Sequence, residues 1–204
     1  MEIVRLIADP MTDASILSSF SCGIEEMDVF VHNNLQKSID GHFCKAYVIY
    51  NVYVEADAGR GIEEGKEIVA FFALNFDSLE VENGKQFEIL YPKDGSNAEQ
   101  IDISIEYEEI FKDKTSFPAL EISYLAVQKE YQGNYIGTSI IEIVKEKAKK
   151  QAIAGCQFIT VMAYDTPEEG YSAVPFYRKQ HFQEIDGGGK NTKRMYTPLY
   201  VYDD

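Results

Sequence analysis

An apolar stretch that runs into a glycine-containing loop and then into a helical pattern constrains the fold of this chain most strongly. The stretch from Ala119 to Val127 is almost continuously apolar, which is typical of a strand buried deep in a sheet. After the loop, and until Gly155, apolar residues recur at helical spacing at Ile140, Ile141, Val144 and Ala148. The sequence therefore predicts a central strand, a loop and an amphipathic helix.

The loop over Gln132–Gly137 connects this strand to this helix. The first turn of a helix has free backbone N–H groups, and a glycine-containing loop can bring such groups around a phosphate. Gly133 and Gly137 carry no side chain where a pyrophosphate would approach the backbone. We predict that the loop holds a nucleotide-like donor through its backbone. The alternative is a glycine turn that only lets the strand and the helix pack.

The rest of the chain shows further strand and helix patterns. In chain order we expect a strand from Glu2 to Ile7 closed by a turn at Asp9-Pro10, a helix over Ile24–Ile39, a hairpin of Lys45–Val54 and Glu67–Asn75 around a long loop at Glu55–Lys66, a strand over Phe158–Ala163, a helix over Tyr171–Gln180, and two last strands over Phe182–Ile185 and Arg194–Tyr202. We interpret the irregular residues 81–117 as an insertion in a single domain over residues 1–204.

The acidic composition limits the classes of molecule that the chain is expected to bind. Lysine and arginine total 19 against 34 aspartate and glutamate, so the formal net charge is −15. This charge disfavours nucleic acid as a partner and suits an amine-bearing acceptor, unless the acidity serves only solubility. Because no apolar run spans a bilayer and no signal-peptide pattern opens the chain, we expect a cytoplasmic protein with no membrane partner.

The cysteines and histidines lack the spacing of a metal or redox site. We expect reduced thiols at Cys22, Cys44 and Cys156. We assign no metal to His32, His42 and His181. A thiol at a helix start can have a lowered pKa, but Cys22 has no placed histidine partner, so we interpret it as a small buried residue.

Three motifs give a more specific interpretation. Leu125-Ala126-Val127, followed after four residues by Gln132-Gly133-Asn134-Tyr135-Ile136-Gly137, resembles the acetyl-coenzyme A signature of the GNAT acetyltransferases, with Tyr135 where the family usually has its middle glycine. Residues 173–182 resemble the family's Ala-x-x-Phe-Tyr-x-x-x-Gly-Phe, with His181 in the glycine position. Phe20-Ser21-Cys22-Gly23, Met27-Asp28 and Phe30 resemble the opening of the branch that includes toxin-type N-acetyltransferases.

The resemblance implies an α/β (α+β) fold with a GNAT-like mixed, twisted sheet of about six to seven strands flanked by helices. It implies acetyl-coenzyme A as co-substrate, bound by backbone N–H groups of Leu125, Val127 and the loop Gln132–Gly137. It makes Tyr177 the expected proton donor to the coenzyme A sulfur, with a plain core tyrosine as the alternative. Glu121 is the candidate general base, with a surface carboxylate as the alternative.

The resemblance leaves the acceptor open. Our main hypothesis is direct acetyl transfer to a primary amine of a small molecule or peptide; the alternatives are a toxin-type enzyme acting on aminoacyl-tRNA and a non-catalytic protein that binds coenzyme A. Tyr124 stands where the toxin-like branch tends to have a basic residue, and it is a candidate pocket residue. Gly187–Gly189 is expected to be a hairpin loop, with a lid as the alternative. The stretch Tyr196–Tyr202 is a candidate contact for a homodimer.

Overall fold

The computed structural model describes residues 5–57, 61–82, 85–90, 99–101, 112–151 and 153–202. Within these ranges the strands are β1 (Arg5–Met11), β2 (Lys45–Asp57), β3 (Gly61–Glu80), β4 (Glu99–Ile101), β5 (Ser116–Val127), β6 (Phe158–Thr166), β7 (Tyr171–Ser172), β8 (Gln183–Glu184), β9 (Thr192–Pro198) and β10 (Tyr200–Tyr202). The α-helices are α1 (Glu25–Asn33), α2 (Leu35–Asp40), α3 (Gln86–Leu90), α4 (Ile136–Lys150) and α5 (Val174–Lys179). One-turn 3₁₀ helices lie at Ala14–Leu17, Lys129–Tyr131 and Pro167–Glu169.

The strands form a mixed sheet of eight strands and a separate pair made of β4 and β10. This is the predicted fold class, with more strands than the six to seven expected. Strand β5 and helix α4 confirm the strand, loop and helix predicted from the sequence. The helix buries the four residues on which its prediction rested, which are Ile140, Ile141, Val144 and Ala148. Among the helices of the described residues, none combines the length and the hydropathy needed to cross a bilayer.

One compact unit consists of Met1–Asn75 and Ser123–Ile143. In it β1 pairs antiparallel with β2, β2 pairs antiparallel with β3, and β5 follows β3 in the sheet. Side chains from the sheet, the first 3₁₀ helix, α1 and α2 form its core. The rings of Phe20 and Phe71 meet edge to face in this core, with centroids 5.4 Å apart.

Two predictions for this unit are wrong because strand pairing overrides local composition. The turn predicted at Asp9-Pro10 is part of β1, where Pro10 lies opposite Tyr47. Strand β1 is the edge of the sheet, and an edge strand tolerates proline because the missing N–H can lie on the unpaired side. The loop predicted at Glu55–Lys66 is also largely strand, since β2 and β3 pair as far as Asp57 opposite Gly61. Backbone hydrogen bonds hold such a ribbon whatever the charge of its side chains.

The helix predicted over Ile24–Ile39 is two helices. The backbone of Asn34, at φ −125° and ψ −23°, leaves the helical region, so α1 ends at Asn33 and α2 begins at Leu35. Val31 and Leu35 are both buried on either side of the break. Because the four-residue spacing of apolar positions continues across Asn34, periodicity did not reveal the interruption.

The other compact unit consists of Phe76–Ile122 and Val144–Asp204. Strand β5 pairs parallel with β6, β6 pairs antiparallel with β9, and β9 pairs antiparallel with β8, while β7 pairs with the end of β6. The ring of Phe158 lies 5.9 Å from the ring of Phe117 and 5.9 Å from that of Tyr196, both in edge-to-face geometry. These rings form the centre of an aromatic core in this unit.

The C-terminal elements of this unit are shorter than predicted. The strand predicted over Arg194–Tyr202 is β9 and β10, and β10 leaves the main sheet to pair parallel with β4. The helix predicted over Tyr171–Gln180 begins only at Val174, with Pro175 in its first turn, because the preceding residues form β7. Much of the interpreted insertion, namely residues 83–84, 91–98 and 102–111, lies outside the described residues.

Candidate functional site

The loop between β5 and α4 contains two left-handed residues and ends at the N-terminus of a helix. Gly133 has φ +82° and Tyr135 has φ +60°, so two residues of the loop are left-handed. A Cβ atom at Gly133 would meet no atom of the described residues within 4 Å, so the backbone is open to a ligand there. The first N–H groups of α4 have no intrahelical acceptor, and left-handed residues are typical of backbone concavities that bind anions.

Tyr135 stands at the position where the resembling motif usually has a glycine. Its backbone takes the left-handed conformation that a glycine allows, at a cost of about 1–2 kcal/mol. The residue is 82% exposed, so its ring is not packed into the loop by the described residues. The predicted backbone role of this position is therefore compatible with the tyrosine.

The side chains of Gln132 and Asn134 bind the protein's own backbone. Nε2 of Gln132 donates to the carbonyl oxygens of Cys22, at 2.8 Å, and Val127, at 3.1 Å. Nδ2 of Asn134 donates to the carbonyl oxygens of Tyr131, at 3.1 Å, and Gln132, at 3.4 Å. These contacts fix the loop from its protein side. Sequence reasoning assigned only backbone roles here and missed the anchoring role of both amides.

The end of β5 leading into the loop is only partly covered. Leu125 and Val127 are half-buried, whereas Ala126 between them is buried in the core of the first unit. Tyr124 stacks on Phe30 of α1, with ring centroids 3.8 Å apart. The residue that we considered a candidate pocket residue thus packs against a helix, and the partly uncovered residues Leu125 and Val127 adjoin the loop.

Tyr177 lies in the second unit, in the last turns of α5. Its side chain is buried, and burial raises the pKa of its phenol well above the ordinary value. Its carbonyl accepts a hydrogen bond from the N–H of Phe182 at 3.0 Å, and the Phe182 ring lies 5.2 Å from its ring. The N–H of His181 donates to the carbonyl of Arg178 at 3.1 Å. With His181 at φ +64°, these bonds form a Schellman motif, which is the reason for the glycine usual at this position.

Glu121 also lies in the second unit. It is half-buried on β5, opposite Thr160 of β6. The structure thus groups Leu125, Val127 and the loop Gln132–Gly137 in the first unit, and it places Glu121 and Tyr177 in the second.

The cysteine and histidine positions agree with structural roles. Burial raises the pKa of Cys22 to about 11, which keeps its thiol protonated and unreactive at neutral pH. His42, at φ +57°, ends α2 in the same type of motif as His181, and His32 is exposed in the last turn of α1. The part of the chain that the structure describes holds no cluster of His, Cys, Asp or Glu suited to a metal ion.

The glycines between β8 and β9 form a closely packed hairpin loop. A Cβ atom on Gly188 would lie 2.5 Å from the carbonyl oxygen of Thr192, so the loop lies directly against its own strand. The N–H of Gly189 donates to Oγ1 of Thr192 at 2.9 Å. The loop borders an open cleft of about 930 Å³. Several carboxylates of this cleft already bind neighbouring groups, such as Glu82 with Lys85.

One family model matches part of this chain. Residues 97–184, which contain β5, the loop, α4, β6 and α5, match the family described as an acetyltransferase (GNAT) domain. A search of curated proteins gives no match.

Solved structures of toxins have the same fold. A bacterial toxin superposes with a TM-score of 0.61 at 18% identity, covering 96% of this chain and 91% of that chain. The complex AtaTR bound with AcCoA gives 0.61 at 16% identity, covering 95% and 94%. The structure of AtaT complexed with acetyl-methionyl-tRNAfMet gives 0.59 at 16% identity, covering 95% of both chains. At these identities the likeness shows the fold.

Proposed function

We propose that the chain is an N-acetyltransferase that transfers an acetyl group from acetyl-coenzyme A to a primary amine, because residues 97–184 match the family described as an acetyltransferase (GNAT) domain. The observation that carries this proposal is the loop Gln132–Gly137. It lies inside the family match and is left-handed at Gly133, and its last two residues, Ile136 and Gly137, begin α4. Such a loop offers several backbone N–H groups to one anion without needing a basic side chain.

The residues at the end of β5 and in the loop fit this donor. The open space beside Gly133 lets a pyrophosphate approach the backbone closely. Half-buried Leu125 and Val127 offer apolar surface and backbone N–H groups to a pantetheine arm. We assign donor binding to the backbone of Leu125, Val127 and the loop Gln132–Gly137.

Acetyl transfer moves protons off the amine and one proton onto the thiolate. An amine that arrives protonated first loses a proton to become a nucleophile. As the neutral amine attacks acetyl-coenzyme A, the C–N bond forms, the thioester C–S bond breaks, the nitrogen loses a second proton and the departing thiolate gains one. We assign Tyr177 as the donor of the proton to the thiolate, because it is the tyrosine of the motif over residues 173–182 that resembles the family's, and its phenol is protonated at neutral pH. We assign Glu121 as the base that takes the proton of the amine, directly or through water.

The net charge supports an amine acceptor. At −15 the protein attracts cationic molecules, and amines are protonated before they enter a site. A small-molecule or peptide amine suits this charge better than a polyanion.

The test combines acetyl-coenzyme A binding by calorimetry with thiol release on a panel of polyamines, amino acids, peptides and charged tRNA. We expect Tyr177→Phe to lower kcat by about 10²-fold or more, the usual effect of losing a general acid, with donor affinity unchanged. Tyr200→Phe, which removes a hydroxyl from a half-buried residue of the same unit, is the control and should keep full activity. Failure of the wild-type protein to bind acetyl-coenzyme A would overturn the proposal.

The second candidate is acetylation of aminoacyl-tRNA. It is favoured by the fold shared with AtaT, which has been solved with acetyl-methionyl-tRNAfMet, and disfavoured by the charge of −15. Turnover on charged tRNA alone in the panel would select it. Donor binding without turnover on any acceptor would instead indicate a coenzyme A-binding protein that is not an enzyme.

A further inference from the structure

We propose that Asp28 is a positioning residue for the loop Gln132–Gly137, here called the donor loop, and that it acts on this loop through the turn Ser21–Gly23. The inference rests on the proposed function only in naming acetyl-coenzyme A as the ligand of the loop. Asp28 does not touch the loop itself. Its effect passes through hydrogen bonds that connect α1, the turn and the loop, all within the first unit.

The first link joins Asp28 to the turn. Oδ2 of Asp28 accepts a hydrogen bond from Oγ of Ser21 at 2.6 Å, and Oδ1 accepts one from the N–H of Cys22 at 2.8 Å. Burial alone would raise the pKa of this carboxyl, but the hydrogen bonds from Ser21 and Cys22 together lower it, so it is ionised at neutral pH. A carboxylate in the first turn of α1 is also stabilised by the helix dipole.

The second link joins the turn to the residues that open the donor loop. The N–H of Lys129 donates a hydrogen bond to the carbonyl oxygen of Ser21 at 2.9 Å. Nε2 of Gln132 donates one to the carbonyl oxygen of Cys22 at 2.8 Å. Gly23, at φ +82°, lets the turn lie close to Lys129, because a Cβ atom there would be 3.2 Å from Cδ of that side chain. The two residues that Asp28 binds therefore supply two of the acceptors that hold Lys129 and Gln132.

The third link joins the start of the donor loop, which we call the loop entrance (Lys129–Gln132), to the end of β5. Nε2 of Gln132 also donates to the carbonyl of Val127 at 3.1 Å, so one amide group ties the last residue of β5 to the turn. Without Asp28 the turn loses the acceptor that fixes Ser21 and Cys22. The expected consequence is a less ordered entrance at Lys129 and Gln132, and therefore weaker binding of the donor by the N–H groups that follow.

The test compares Asp28→Ala with Asp13→Ala. Asp13 is a matched control in the same unit, since its Oδ1 also accepts a hydrogen bond from a backbone N–H, that of Ser15 at 2.8 Å, while within the described part of the chain this bond does not reach the loop. We expect Asp28→Ala to raise the dissociation constant and the KM for acetyl-coenzyme A about tenfold with kcat nearly unchanged, and Asp13→Ala to change neither. Asp28→Asn should rescue most of the loss, because its amide oxygen can still accept from Cys22.

Hydrogen exchange at the Lys129 amide provides a reading that does not depend on the ligand. The amide should exchange about tenfold faster in Asp28→Ala than in Asp13→Ala at equal melting temperature. If Asp28→Ala does not fold, Ser21→Ala removes one of the two bonds at an exposed site and should give a smaller change in the same direction. Equal donor affinity and equal Lys129 exchange in the Asp28 and Asp13 variants would overturn the inference. If the wild-type protein does not bind acetyl-coenzyme A, the proposed function fails, and exchange at Lys129 alone then decides the role of Asp28.

Discussion

The donor loop and the C-terminal turn of α5 meet the same backbone requirement in different surroundings. Tyr135 and His181 stand where the GNAT motifs usually have glycine, and both are left-handed, at φ +60° and +64°. His181 lies in a motif closed by two backbone hydrogen bonds and by the contact of Phe182 with Tyr177. Tyr135 is 82% exposed and lies beside the open space at Gly133.

The difference shows where each conformation gets its stability. In the α5 turn, hydrogen bonds and ring packing hold His181, so the strain is opposed by the core of the second unit. In the donor loop, the side chains of Gln132 and Asn134 bind backbone carbonyls, while the tyrosine ring projects into solvent. Packing therefore stabilises the turn, whereas the described residues leave the loop backbone uncovered at Gly133.

The largest expected difference between the two regions is in the free energy of unfolding that is lost when an aromatic ring is removed from each. Phe182 is 3% exposed, so Phe182→Ala should lower the free energy of unfolding by about 3–5 kcal/mol through lost burial and the cavity left behind. Tyr135→Ala should change it by less than about 0.5 kcal/mol, since the ring is exposed. Urea unfolding of both variants measures the contrast, and similar losses in the two variants would contradict it.

A glycine at either left-handed position should raise the free energy of unfolding, by less than the loss expected for Phe182→Ala. Tyr135→Gly and His181→Gly should each stabilise the protein by about 0.5–1 kcal/mol, because relief of left-handed strain exceeds the added entropy of the unfolded chain. In Tyr135→Gly we expect donor affinity to persist, since the backbone of the loop is unchanged. Thermal unfolding and calorimetry with acetyl-coenzyme A check both points. A large loss of affinity would assign the ring itself to donor binding.

Local sequence signals predicted the elements that depend on a single segment. Strand β5, the loop and α4 follow from one continuous pattern of apolar residues and glycines, and the structure has them where expected. The errors arise where distant segments decide. The pairing of Pro10 with Tyr47 makes a strand out of a predicted turn. The anchor from Gln132 to Cys22 joins residues 110 positions apart, which no periodicity can reveal.

A further hydrogen bond next to the donor loop joins Tyr131 to Glu67 and depends on pH. The hydroxyl of Tyr131 donates to Oε2 of Glu67 at 2.6 Å, and Oε1 of Glu67 accepts from Nδ2 of the fully buried Asn51 at 3.2 Å. The hydrogen bond to Glu67, with burial and the nearby negative charges, raises the pKa of Tyr131 to about 12. This anchor therefore binds the loop entrance to β3 by a bond that requires a protonated phenol.

Loss of this anchor should be the smallest effect, because the contact is partly solvated. Tyr131→Phe should lower the free energy of unfolding by about 0.5 kcal/mol at pH 8. Since the folded pKa lies above the unfolded value of about 10, the contribution is complete below pH 10 and is lost as the pH rises towards 12. The difference in urea midpoint between wild type and Tyr131→Phe should thus shrink from pH 8 to pH 11. The α5 turn uses backbone bonds and ring packing, so the effect of Phe182→Ala should stay constant over this range. A Tyr131→Phe difference that is equally constant would mean that the bond to Glu67 does not stabilise the loop.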